Sequence, residues 1–185
     1  MRKTGNEKLS FAGKDIGLSL QDFWSWGFSD LLDNTLRGSY AEFIVAAALG
    51  IDLTAERVNW EPWDLTMDGI RVEVKSCSYL QTWEQERPSA VKFSIRPSMP
   101  WTAGSGYAGE LRRPSNVYVF CLYAEQDEAK ADPLRLDGWE FYVLPTRRLD
   151  ESCGGQKTIA LSSLLQLGPV KTDFAGLRAA VLQSI

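Results

Sequence analysis

The chain has 185 residues, 44% of them hydrophobic and 24% charged, with a formal net charge of -4. A chain of this size buries roughly 70% of its unfolded surface and needs neither a disulfide nor a structural metal to fold. Its lack of histidine excludes Ser-His-Asp and Cys-His nucleophilic catalysis, histidine-ligated zinc and histidine acid-base chemistry within the chain.

Residues 1–18 are polar and contain Gly, and are expected to be a loosely ordered segment ahead of a single domain at 19–185. The charged start MRKTGNEKLS leads into no apolar run, and the longest such run, Phe43 to Leu49, is far short of the ~20 residues of a membrane span. A cytoplasmic location with no membrane partner is therefore expected. Cys77, Cys121 and Cys153 lack C-x-x-C spacing and are expected as free thiols in a reducing compartment.

A short amphipathic piece, Leu20 to Gly27, suits a helical turn. From Ser29 to Leu49, Leu32, Leu36, Tyr40, Phe43, Ile44 and Ala47 recur at three- and four-residue spacing, and Gly50 supplies a stop, which predicts a long helix. Trp63 to Ser76 reads as a hairpin. Lys92 to Ile95, Val117 to Tyr123 and Trp139 to Leu144 are further strands rich in Val, Phe and Tyr. Ser162 to Leu167 and Asp173 to Leu182 are two closing helices. This order predicts an α/β sandwich with a mixed central sheet of about five strands flanked by helices. The stretch 96–115, rich in Pro and Gly, reads as a long flexible loop.

The hairpin turns at Asp68-Gly69, a dipeptide suited to the positive φ angles of a type I′ turn. That register puts Met67 opposite Ile70, Leu65 opposite Val72 and Trp63 opposite Val74 on an apolar face. The other face pairs Thr66 with Arg71, Asp64 with Glu73 and Pro62 with Lys75. Opposed carboxylates about 5 Å apart repel unless something compensates. Mg²⁺ suits the task, because it takes one or two carboxylates plus waters and phosphate oxygens, and the Val74 carbonyl can add a third protein oxygen. Lys75, two residues past Glu73, is placed to polarise a water or neutralise charge on a phosphate. The alternative for these residues is a solvated sheet surface carrying an ordinary ion pair.

Arg37-Gly38-x-x-x-Glu42 on a helix, Asp64 at a strand start and Glu73-Val74-Lys75 in the next strand, followed by Ser76 and Gln81, together resemble the PD-(D/E)XK nuclease superfamily, whose fold is that of restriction endonucleases. The likeness covers Leu36 to Trp83; Pro stands at 62 and Trp63 precedes Asp64, so the proline is displaced by one position. The resemblance implies Asp64 and Glu73 as metal ligands with the Val74 carbonyl, Lys75 as the catalytic lysine, and Glu42 on the metal or a metal-bound water. Gln81 would bond near the lysine or a substrate phosphate. Glu42 also reads as a carboxylate at the boundary of the apolar stripe, and Gln81 as a polar loop residue.

The function expected is Mg²⁺-dependent hydrolysis of DNA, with Mn²⁺ as a substitute, endonucleolytic sooner than exonucleolytic, in restriction, repair or mobile-element processing. A nucleic-acid-binding or assembly module without catalysis is the alternative. From Arg71 to Arg113 there are seven basic against four acidic residues, whereas Cys121 to Glu151 holds four basic against eight acidic. Arg37, Arg71, Arg87, Lys92, Arg96, Arg112 and Arg113 are accordingly the candidate DNA contacts. Trp101 and Tyr107 in the long loop suit either base stacking or a dimer contact. No sequence-recognition element is visible, so specificity is expected from loops, a homodimer or a partner subunit.

Overall fold

The computed structural model describes residues 2–57, 61–99 and 110–185, with the backbone of 101–102 and 106–107. In chain order the elements are β1 (Lys8–Phe11), β2 (Lys14–Ser19), α1 (Leu20–Gly27), α2 (Asn34–Leu49), β3 (Leu65–Met67), β4 (Ile70–Ser78), β5 (Lys92–Ser94), β6 (Trp101–Thr102) and β7 (Gly106–Tyr107). Then follow β8 (Val117–Tyr123), β9 (Trp139–Pro145), α3 (Thr146–Cys153), β10 (Thr158–Ala160), α4 (Leu161–Gln166), β11 (Val170–Thr172) and α5 (Leu177–Gln183). Five of these strands form one mixed sheet in the order β11-β9-β8-β4-β3. β4 and β8 run parallel and the other neighbours antiparallel.

Every residue of β8 is buried, as expected of a central strand covered on both faces. Its alternation divides the core. Val117, Val119, Cys121 and Tyr123 join Val72 and Val74 of β4 under α2 and α5, through Ala41, Ile44, Val45, Leu177 and Val181. Tyr118, Phe120 and Leu122 meet Phe93, Ile95, Leu149, Ile159 and Leu164 on the opposite face. The same period of two puts Glu73 and Lys75 on the face opposite to Val72 and Val74.

α2 begins five residues later than the periodicity predicts. Asp33 is its cap, accepting from the amides of Thr35 and Leu36, and Gly50 closes it at φ 72°; a carboxylate on the first free amides ends the need for helix upstream. The hairpin turn is as expected, with Asp68 at φ 50° and Gly69 at φ 82°. Its ladder is shorter, however, running only from Met67↔Ile70 to Leu65↔Val72.

Three other expectations change. Lys92 to Ile95 does not join the central sheet; β5 pairs with β10 in a separate two-stranded ribbon. The fifth central strand is β11, paired with β9 and lying between the two stretches expected as closing helices. Within the segment expected to be loosely ordered, β1 and β2 form an antiparallel hairpin, and α1 follows behind a capping box of Ser19 and Asp22. None of the side chains of α1 is buried, and Trp26 is 84% exposed. In the long loop, Ser98 bridges Arg112 and β6 pairs with β7, while the side chains of Trp101 and Tyr107 lie outside the described part. Cys77, Cys121 and Cys153 are free. No helix among the described residues is long and apolar enough to cross a membrane.

Phe120 is fully buried between Phe93, edge-on at 5.1 Å, and Tyr118, stacked at 5.6 Å. Phe120→Ala is expected to cost about 3–5 kcal/mol, measured as a fall in the urea midpoint at constant m-value.

Candidate functional site at the open edge of the central sheet

The short β3 is what makes a site. Alternation along β4 turns the Arg71 carbonyl to the β8 side, where it accepts the Asn116 amide, and turns the Val72 carbonyl to the β3 side, where it accepts the Asp64 amide at 3.2 Å. Val74 has the parity of Val72, but no described strand lies beside it. Its amide donates instead to Asp64 Oδ2 at 2.7 Å, and its carbonyl faces the same open edge. The direct Asp64–Glu73 opposition expected from the turn is thus replaced. The ladder stops at Leu65, three pairs short of the expected register, and Asp64 folds its carboxylate back onto the strand it has ceased to pair with.

Glu73 and Lys75 form an ion pair at 2.6 Å, with side chains 15% and 27% exposed. Burial raises the Glu73 carboxyl above its ordinary value, Lys75 opposes the rise, and Asp64 and Glu42 add to it. Burial pulls the Lys75 ammonium down, but Glu73, Asp64 and Glu42 outweigh it, so Lys75 stands above its ordinary value and is charged at neutral pH. Glu73 and Lys75 each feel the charges of both Asp64 and Glu42, so these two lie within the electrostatic reach of the other two sequence-predicted residues.

Glu42 is held by Arg57, which donates Nε to Oε2 at 2.6 Å and Nη2 to Oε1 at 2.7 Å. This bidentate pair is the geometry arginine favours on a carboxylate. Arg57 also feels the charge of Asp64. Sequence reasoning missed it, because it lies in an irregular segment with no periodicity and reaches Glu42 across 15 positions. Phe43, placed by spacing in the helix's core stripe, is instead 54% exposed. It lines a cleft of about 590 Å³ together with Glu42, Ile51, Leu53, Arg57 and Asp64.

The donor set suits a hard divalent cation. Asp64 and Glu73 offer carboxylate oxygens and Val74 an edge-facing carbonyl, all of them hard donors. Among the described residues no group of three or more His, Cys, Asp and Glu side chains is gathered so as to hold a metal ion. Two carboxylates and a carbonyl are few ligands, so a Mg²⁺ ion here would keep several waters or substrate oxygens, which is its ordinary preference.

The other predicted residues separate into two kinds. Gln81 turns to its own loop, donating Nε2 to the Ser78 carbonyl at 3.0 Å while its amide donates to Gln85, and it makes no described contact with Lys75. Arg87, Lys92, Arg96 and Arg112 are exposed. Arg71 is half-buried, stacked 5.2 Å over the Trp63 ring and bonded to Asn116 Oδ1.

Arg37 and Arg113 are interior instead, which corrects the expectation that they contact DNA. Arg37 is 4% exposed and donates to the Leu32 carbonyl and the Asn34 side chain, tying down the approach to α2. Arg113, 7% exposed, donates to the carbonyls of Ile95 and Gly154, each at 2.8 Å, and to Asp150 at 2.6 Å. Both guanidinium groups are turned inward, Arg37 with its Nε buried and unpartnered among the described residues, and neither is presented to a phosphate.

No family model, curated protein or solved structure matches this chain.

Arg113→Ala leaves the buried Ile95 carbonyl unpaired and releases the Gly154 carbonyl and Asp150, and is expected to destabilise by about 2–4 kcal/mol, whereas the exposed Arg112→Ala is expected to stay within about 0.5 kcal/mol. Parallel thermal and urea unfolding of the two variants checks this contrast.

Proposed function

We propose that this protein is a metal-dependent nuclease of restriction-endonuclease-like architecture that hydrolyses phosphodiester bonds in DNA, as an endonuclease. The observation that carries the reading is the meeting of Asp64, the edge-facing backbone of Val74, and the Glu73–Lys75 pair at the point where β3 leaves the sheet. Its agreement with the order of residues in the PD-(D/E)XK pattern adds support, as does the presence of Glu42 on the neighbouring helix.

Asp64, Glu73 and the Val74 carbonyl would hold the cation, with Glu42 reaching it directly or through a water. When bound, Mg²⁺ or Mn²⁺ supplies Lewis acidity at the scissile phosphate and a more acidic water. Lys75 stays protonated among three carboxylates, so it acts as a positive charge that offsets the charge growing on the phosphate and orients the attacking water, in place of a proton-accepting base. Arg57 draws Glu42 toward the irregular segment that follows α2, and this ion pair sets how freely the carboxylate can turn to the metal.

A second reading, a nucleic-acid-binding module without catalysis, draws on the fact that Glu42 and Glu73 are each already neutralised by a protein cation. The two readings separate on metal binding. The nuclease reading expects Mg²⁺ or Mn²⁺ to bind wild-type protein by calorimetry and to lose affinity in Asp64→Asn.

On circular and linear duplex DNA, cleavage is expected with Mg²⁺ or Mn²⁺ and none with EDTA. Glu73→Gln and Lys75→Ala should each lower the cleavage rate by at least about 100-fold, comparable to losing a single oriented charge at a transition state, while circular dichroism remains unchanged. Cleavage at wild-type rate by either purified variant sinks the assignment.

A further inference from the structure

A second cavity, of about 660 Å³, opens near the other end of the Arg113 clamp and is lined by Arg96, Arg112, Lys157 and the Gly154-Gly155 turn. Arg96, Arg112 and Lys157 are all exposed. Asp150, the acidic group among the lining residues, is bound to Arg113 at 2.6 Å, so those two charges cancel and three cations remain. On a chain of net charge -4, that local excess runs against the overall field and attracts anions.

The three cations are held by backbone pairing from separate parts of the chain. The Ile95 amide donates to the Lys157 carbonyl at 2.9 Å, which sets Arg96 beside Lys157. Ser98 and Arg112 exchange amide-to-carbonyl bonds at 2.9 and 3.1 Å, which fixes Arg112 across from the residues that follow Arg96. Arg113 Nη2 binds the Gly154 and Gln156 carbonyls and so braces the turn that delivers Lys157. The glycines of that turn leave the wall open, since a Cβ at either would meet nothing.

A packed path joins the two regions. Tyr118 is the ladder partner of Glu73 and lies in the same core cluster as Ile95, whose carbonyl accepts from Arg113. Pro114, Ser115 and Asn116 connect Arg113 to β8, and Asn116 also binds Arg71.

We infer that Arg96, Arg112 and Lys157 form a second phosphate-binding site that seats the backbone of a nucleic-acid strand. The inference rests on the nuclease reading for its ligand. Lys157 lies outside the basic stretch visible in the sequence, and Arg113 supports the site as a positioning residue without touching the phosphate.

The test is fluorescence anisotropy of wild-type protein with a short labelled DNA duplex, and with the same strand unpaired, in EDTA across a salt series, so that binding is read without cleavage. Arg96→Gln, Arg112→Gln and Lys157→Gln are each expected to weaken binding about three- to tenfold and to lower the slope of log K against log salt by about one, and the pocket triple variant that combines them to lower it by about three. A control triple with the same loss of charge, Lys8→Gln, Lys14→Gln and Lys130→Gln, is expected to stay within about twofold of wild type, because charges away from the strand release few counterions. The inference is overturned if the pocket triple variant keeps wild-type affinity and salt slope, if the control triple loses as much, or if wild-type protein binds neither DNA. Weakened binding in the pocket variants with no cleavage by wild-type protein in Mg²⁺ would leave this site standing and remove the nuclease reading. Wild-type cleavage with undiminished binding in the pocket triple would do the reverse.

Discussion

The bond from the Val74 amide to the Asp64 carboxylate is the constraint on which the site depends, and it exists because β3 is only three residues long. A longer β3 would pair with the amide and carbonyl of Val74 and bury them in an ordinary ladder. By leaving the sheet at Leu65, the chain exposes a strand edge in the middle of its longest paired strand and must then satisfy it. A carboxylate does so with one oxygen and keeps the other for use. Structural need and chemical opportunity thus fall on a single residue, and the position of Glu73 and Lys75 follows from it, because both belong to the stretch of β4 that runs past the end of β3.

Three carboxylates and two cations share a small, partly dry volume around that edge. Such a cluster is costly: burial disfavours each charge, and removing one member leaves its partner uncompensated. The protein balances it locally, Lys75 against Glu73 and Arg57 against Glu42, with Asp64 satisfied by an amide. The arrangement is neutralised yet adjustable, since Arg57 is half exposed and its pair with Glu42 can be exchanged for another partner without opening the core. Exposed ion pairs of this kind are weak, so they hold a resting arrangement without locking it.

How much of this could be read in advance varies with the range of the interaction. The Asp68-Gly69 turn, the α2 helix and the strands at 117–123 and 139–144 are set by local chemistry, and each lies where turn residues, spacing or β-branched and aromatic content put it. Asp64, Glu73 and Lys75 were legible because a tight turn and a period of two carry their relation over few residues. Their exact geometry was not, since nothing local announces that the ladder stops at Leu65. Arg57 on Glu42, β5 on β10 and β11 on β9 all depend on contacts across long stretches of chain, to which periodicity is blind. Arg37 and Arg113 show the converse limit. A guanidinium looks available in the sequence, and only packing reveals that it is turned inward onto the protein's own acceptors.

The amino-terminal hairpin and α1 stand apart from this economy. Their hydrogen bonds are largely among themselves, as in Leu20 amide to Glu7 carbonyl and Gln21 amide to Gly5 carbonyl, and Phe11 and Trp26 are 78% and 84% exposed. A two-stranded ribbon and a short helix with so little burial have scant stability of their own, so this unit opens at far lower free energy than the sheet. Its amides exchange with solvent first, and a protease that samples open states cuts there before it reaches α2. The chain therefore carries, ahead of a tightly packed body, a segment held by its own hydrogen bonds with almost no packing behind them.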